Sequence, residues 1–202
     1  SNDEPIYGAS YPVIDISGSG RNSQISNVTI RGYVDYGITV AESDKSGLLL
    51  DHVNIPVGEK YALSLSGSAA MVTIRGEDSL LRTCKVSNGG CLIAEEGTIV
   101  GHQNYSGTYS AVDVDKGEFY LRGTAKVEGK EGDGVYIRSG GKAYLEGGEI
   151  IGDTSLKQSA VGILNQGTTE LSGTTVKGCY QGVQLNDGNI TMTGGSITNN
   201  TY

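Results

Sequence analysis

The feature that most constrains this chain is a phrase that keeps returning: a short strand of alternating apolar and polar residues followed by glycine. Its clearest copies are Glu118–Gly123, Lys142–Gly147, Thr168–Gly173 and Asn189–Gly194, with Asn27–Gly32 and Val72–Gly76 before them and weaker copies at Val53–Gly58 and Leu92–Gly97. One inward apolar residue from each copy gives the series Ile30, Ile55, Ile74, Ala94, Leu121, Leu145, Leu171 and Met192, with steps of 25, 19, 20, 27, 24, 26 and 21 residues. Self-similarity at a period of about 23 residues is the mark of a solenoid, in which one repeat cannot bury its apolar face alone and must stack on the next.

Each repeat holds two more segments of the same kind. A leading one precedes the phrase, at Ile14–Ile16, Ile38–Val40, Leu63–Leu65, Val112–Val114, Val135–Ile137, Val161–Ile163 and Val183–Leu185. A short one follows it, at Thr98–Val100, Lys126–Val127, Glu149–Ile151, Thr175–Val176 and Ser196–Ile197. Period-two alternation over a few residues reads as half-buried strand, and no window sustains a 3.6 period, so helix is not expected. The chain has 32 glycines among 202 residues, and most of those near the repeats fall between these segments, where a tight corner needs positive φ. Asn199 stands where glycine would after the last short segment, and Asn tolerates that conformation best after Gly.

Three strands and three corners per repeat predict an all-β, right-handed parallel β-helix, a pectin-lyase-like solenoid of about eight coils. A left-handed hexapeptide helix would need a strict coil of about 18 residues, which the steps do not give. Residues 1–11 read as a tail that includes a cloning remnant, and residues 12–202 as one β-helix domain cut from a longer chain.

Charge narrows the partners. Fifteen basic against 23 acidic residues leave a net charge of −8, with no basic footprint for a phosphate backbone, so nucleic acid is not expected. The longest apolar run, Gly47–Leu50, is far too short to span a bilayer, and no signal peptide opens the chain. Cys84 and Cys91 enclose an Asn88-Gly89-Gly90 turn and are either a short-loop disulfide or unpaired thiols; Cys179 reads as a small buried hydrophobe. His52 and His102 have no second ligand at zinc spacing, so no metal or other cofactor is expected.

Stacking makes equivalent positions neighbours. The outward residues after each rung run Arg31, Pro56, Arg75, Glu95, Arg122, Glu146, Ser172, Thr193, and their alternating sign from Arg75 to Glu146 predicts a charge ladder. Tyr120 and Tyr144 should stack one coil apart, with Tyr136 outward on the neighbouring strand; with Arg122 they form the candidate binding surface. The acids Asp113, Asp115, Glu118 and Asp133 are the alternative, a glycosidase-type carboxylate cluster. Gly129–Gly134 is Gly/Asp-rich but lacks the spacing of a calcium loop. Segments that break the period, Glu42–Ser46, Glu77–Gly90, His102–Tyr109 and Asp153–Ser159, are candidate functional loops.

The phrases Leu145–Gly152 and Met192–Asn200, each with Gly-Gly-x-Ile and then Gly or Asn, resemble the pertactin-like passenger domains of bacterial autotransporters. The likeness runs through residues 12–202 at the level of the repeat. It implies secretion across the outer membrane, surface display or release, and adhesion to a host receptor or glycan by a monomer without catalysis. Pectin-lyase-like enzymes share the coil, but their Asn-Thr-Asp, Gly-His-Gly and Arg-Ile-Lys motifs are absent here. A passive spacer stalk is the third expectation.

Overall fold

The computed structural model describes residues 11–17, 22–33, 35–41, 46–104, 107–130, 132–153 and 160–202. No described residue lies in a helix, and so none of the described chain forms a helix long and apolar enough to cross a membrane. The chain winds as a right-handed parallel β-helix with three walls. The leading wall is an eight-stranded parallel sheet of Ile14–Ser17, Tyr36–Ala41, Tyr61–Ser66, Cys84–Ser87, Val112–Asp115, Val135–Ile137, Val161–Asn165 and Gln181–Leu185. The main wall stacks Ala70–Arg75, Cys91–Ala94, Glu118–Leu121, Lys142–Leu145, Thr168–Leu171 and Asn189–Met192. The short wall stacks Leu80–Arg82, Thr98–Val100, Lys126–Gly129, Glu149–Gly152, Thr175–Lys177 and Ser196–Thr198.

Two long strands, Ser23–Tyr33 and Ser46–Gly58, serve both the main and the short wall. This corrects the expected three separate strands in each coil. In these two coils a single residue in left-handed conformation, Asn27 or His52 (φ 55° for both), makes the bend, and the strand runs on. The next coil spends Gly76–Ser79 on the same corner, closed by the Ser79 amide donating to the Gly76 carbonyl at 2.9 Å.

The long strands also correct the register of the repeat. Ile74 sits over Leu50, and Leu50 over Ile25, while Ile55 pairs with Leu81 on the short wall. The early phrases Asn27–Gly32 and Val53–Gly58 are therefore short-wall strands that look like main-wall ones. Two further shifts occur on the leading wall. Cys84–Ser87 is a leading strand that the alternation pattern missed, and Val135 faces Ile163, not Val161, so Asn165 points into the core.

The core is the inside of the tube. Leu63, Cys84, Val112, Val135 and Ile163 form one continuous inward row, all fully buried. Asn165 is equally buried and fully engaged: its amide donates to the Asn189 carbonyl at 3.0 Å, and its oxygen accepts from the Thr169 hydroxyl at 3.1 Å and the Gly167 amide at 3.3 Å. A buried amide is tolerated only when its hydrogen bonds are made, as these are. Asn199 has φ 54°, matching Gly178 at 66° one coil below, as its place after the last short strand predicts.

Candidate functional site

The sequence-derived surface divides between two walls. Tyr120 and Tyr144 stack on the outer face of the main wall, ring centroids 4.6 Å apart and 15° from parallel. Arg122 also lies over the Tyr120 ring, 4.7 Å from its centroid, and its Nε donates to Glu146 at 2.6 Å. Burial, and then the Glu118 carboxylate, push the Tyr120 phenol up to about 12. The ring of Tyr120 is thus engaged by its own neighbours. Tyr136 is on the leading wall, in register with Asp113, and does not join the other two.

The charge ladder forms as its alternating sign predicts. Arg75 donates to Glu95 at 2.6 Å, Arg122 to Glu146 at the same distance, and Asp51 stands in register below Arg75. With the corrected register, Asp51 and not Pro56 is the rung beneath. Between these charges the central outward column of the wall reads Gln24, Leu49, Thr73, Ile93, Tyr120, Tyr144. A shallow groove of about 310 Å³ opens at its lower end, floored by Gln24, Leu49 and Thr73 and flanked by Arg75.

The carboxylates expected as a catalytic cluster are held apart in separate contacts. Asp113 lies on the outer side of its wall yet is only 6% exposed, because Arg138 clamps it with two hydrogen bonds of 2.7 and 3.0 Å. Glu118 accepts from Lys142 at 3.2 Å and from the Tyr120 hydroxyl at 3.3 Å, on another wall. Asp133 is tucked into a corner, where it accepts the Val161 amide at 3.1 Å; burial pushes its carboxyl above the ordinary aspartate value. The Asp115 carbonyl accepts the Asn88 amide, and its side chain is half-buried. Among the described residues no group of three His, Cys, Asp or Glu side chains is placed to hold a metal ion.

Of the two readings of Cys84 and Cys91, a short-loop disulfide or unpaired thiols, the structure has the unpaired thiols: all three cysteines are free. The physical reason is direction. Cys84 is a core rung of the leading wall, whereas Cys91 points outward from the main wall, in register with Glu118. Burial raises the Cys91 thiol to about 11 and that of Cys179 to about the same value, and raises Cys84 further.

The outer face of the leading wall holds a cluster that the repeat pattern did not single out. Tyr36 and Tyr61 occupy equivalent positions one coil apart and stack at 6.2 Å. Tyr109 meets Tyr61 edge-on at 5.5 Å. Lys85 lies over the Tyr61 ring, 5.8 Å from its centroid, and Arg138 lies 4.3 Å from the Tyr136 centroid. Burial, followed by the nearby Asp113 carboxylate, drives the Tyr61 phenol well above its usual value. Tyr109 arrives on an insertion: His102–Asn104 and Gly107–Tyr109 pair as an antiparallel hairpin set into the corner before the leading wall. His102 is buried under it, its Nε2 3.0 Å from the Glu59 carbonyl and its ring stacked on Tyr109 at 5.0 Å. The equivalence of Tyr36 and Tyr61 was readable from the spacing Tyr-x-apolar; the place of Tyr109, inside an insertion, was not.

Of the other segments that break the period, Glu77–Gly90 is no loop. It contains the short strand Leu80–Arg82 and the leading strand Cys84–Ser87, joined at Thr83 with φ 60°. Residues 42–45 and 154–159, which make up most of the other two candidate loops, lie outside the described residues, as do residues 105–106 at the tip of the hairpin. No protein-family model, no curated protein and no solved structure matches the chain.

Proposed function

We propose that this chain is a non-catalytic binding module of a secreted or surface-displayed bacterial protein, of the autotransporter-passenger kind, that holds a host receptor or glycan against the outer face of its leading wall. The observation that carries this reading is the convergence of Tyr36, Tyr61 and Tyr109, with Lys85 beside them, on one rigid face. Tyrosines on a fixed backbone present a large amphipathic area at little entropic cost, which suits recognition of a protein or a sugar. The face is half-buried, and one of its members is delivered by the inserted hairpin, where the regular coil is interrupted. Insertions into a regular scaffold are where recognition is most often placed.

The carboxylate geometry supports the non-catalytic side. A paired acid and base must face one substrate, and Asp113 and Glu118 stand on different walls, each bonded to a cation. The Gly-Gly-x-Ile phrases support the passenger kind. The test is a glycan array and a host-cell binding assay with the wild-type chain and the variants Tyr61→Ala, Tyr109→Ala and Tyr144→Ala. Binding lost in the first two and kept in the third is the expected result. Turnover of a pectin-type or glycosaminoglycan polysaccharide that disappears in Asp113→Asn would overturn the proposal in favour of an enzyme.

A further inference from the structure

A half-buried lysine needs a reason, because its stem packs against the protein while its ammonium must still satisfy three donors. Among the described residues three lysines are half-buried: Lys60, Lys85 and Lys177. Lys60 pairs with Asp35, and Lys177 with Glu149. Lys85 has no such partner among the described residues; its ammonium lies 5.8 Å from the centroid of the Tyr61 ring. That distance is near the outer limit of a cation–π contact, and a ring face offers no lone pair to an N–H donor.

The register shows where its counter-ion went. Lys85 sits between Ser64 and Asp113 in the outward column of the leading wall. Asp113 is the anion nearest in register, but Arg138 holds both of its oxygens, at 2.7 and 3.0 Å. The Lys85 ammonium is left beside the tyrosine cluster without a carboxylate. Around the rings the column is polar, not aliphatic: Thr39, Ser64 and Lys85 follow one another coil by coil. A protein partner is held chiefly by an apolar core that excludes water. Hydroxyls and a charge set beside aromatic rings suit a sugar better, since a sugar presents C–H faces and hydroxyls together.

We propose that the tyrosine face takes an acidic glycan, and that Lys85 receives its anionic group, a carboxylate or a sulfate. The inference rests on the reading of Tyr36, Tyr61 and Tyr109 as the binding face and adds the class of sugar to it. Lys85 donates to the anion while the sugar ring packs beside Tyr61 and Tyr109. The glycan thereby supplies the one ion pair that the half-buried lysines of this chain leave open. A charge-assisted hydrogen bond made at a half-buried position is stronger than the same bond in open water, so it separates an acidic sugar from its neutral parent.

A glycan array that carries each sugar backbone in uncharged, sialylated and sulfated form tests it, with the wild-type chain and the variants Lys85→Met, Lys85→Arg, Lys126→Met and Tyr61→Ala. Lys85→Met keeps the packed stem and removes the charge. Lys126 is exposed on the short wall, so Lys126→Met removes the same charge away from the face. The expected result is binding confined to the acidic members, weakened about tenfold or more by Lys85→Met, largely kept by Lys85→Arg and unchanged by Lys126→Met. Sialylated members bound over sulfated ones assign the anion as a carboxylate, and the reverse assigns it as a sulfate; both support the proposal. Binding to uncharged members that Tyr61→Ala abolishes and Lys85→Met leaves intact overturns the acidic glycan while the tyrosine face stands. So does a loss in Lys126→Met equal to that in Lys85→Met. Binding that Tyr61→Ala leaves unchanged overturns both readings. An array with no bound member overturns the proposal as well, and host-cell binding that still depends on Tyr61 would then mean a protein receptor.

Discussion

Arg138 holds Asp113 in a two-point clamp across one coil step, Nε to Oδ1 at 2.7 Å and Nη2 to Oδ2 at 3.0 Å, and the same guanidinium lies 4.3 Å from the centroid of the Tyr136 ring. The carboxylate is nearly buried, while the arginine side chain is 44% exposed. Removing the cation strands a desolvated charge; removing both charges does not. Arg138→Ala is therefore expected to cost about 2–3 kcal/mol, below the ~3–5 of a fully buried pair because the arginine is half in solvent. Asp113→Leu combined with Arg138→Met should recover most of that loss. Urea unfolding followed by circular dichroism measures both, and an Arg138→Ala variant as stable as wild type would show that the clamp is idle.

The thiols make a second prediction. In the folded chain only Cys91 reaches the surface, and its thiol, raised to about 11, is mostly protonated at neutral pH. A thiol reagent should therefore label the native protein slowly and at one site, faster as the pH is raised toward 11. In denaturant all three cysteines should label, giving three added masses. A denatured, unreduced chain that takes up one label would mean that Cys84 and Cys91 are joined after all.

What could be read from the sequence follows from what repeats. Wherever the main strand, Gly corner and short strand are distinct, as from Glu118 to Thr198, the alternation placed the inward row of the main wall correctly: Leu121, Leu145, Leu171 and Met192 stack in one ladder. The pattern misled where two walls share one strand. In Ser46–Gly58 nothing local marks the bend, because His52 adopts left-handed backbone without a glycine. An apolar count likewise could not find Asn165, whose burial depends on Thr169 and Asn189 being beside it in space. The proposed binding face was half-legible for the same reason. Tyr36 and Tyr61 obey the period, whereas Tyr109 is brought in by a hairpin whose direction the repeat does not encode.

Asp133 gives a pH-dependent prediction. Its folded carboxyl titrates above the ordinary value because burial disfavours the charge, although the Val161 amide works in the other direction. A carboxyl whose folded pKa exceeds its unfolded pKa binds its proton more tightly in the folded state. Its penalty is thus absent below the unfolded pKa of about 4 and grows to its full value once pH exceeds the folded pKa. Asp133→Asn keeps an acceptor for the Val161 amide and removes the charge. It should stabilise the protein at about pH 7, with the gain shrinking toward zero at about pH 3. Chemical denaturation at the two pH values reads the difference; a variant less stable than wild type at neutral pH would mean that the buried charge has an unrecognised partner.

Gly148 and Gly178 separate two reasons for a corner glycine. Their φ values are nearly identical, 67° and 66°, so an alanine at either suffers the same left-handed backbone penalty, about 1–2 kcal/mol. Their surroundings differ. A Cβ on Gly148 would lie 2.3 Å from the carbonyl oxygen of Ala125 in the coil below, which cannot move without breaking the bond it accepts from the Glu149 amide at 3.0 Å. A Cβ on Gly178 meets nothing nearer than the Gly152 carbonyl oxygen at 3.5 Å. Gly178→Ala should therefore cost about 1–2 kcal/mol and leave the fold intact. Gly148→Ala adds overpacking of about 1–3 kcal/mol or more against backbone, and should lower the denaturant midpoint at least twice as far. Equal losses in the two variants would mean that backbone conformation alone, and not the distance between coils, sets where this chain requires glycine.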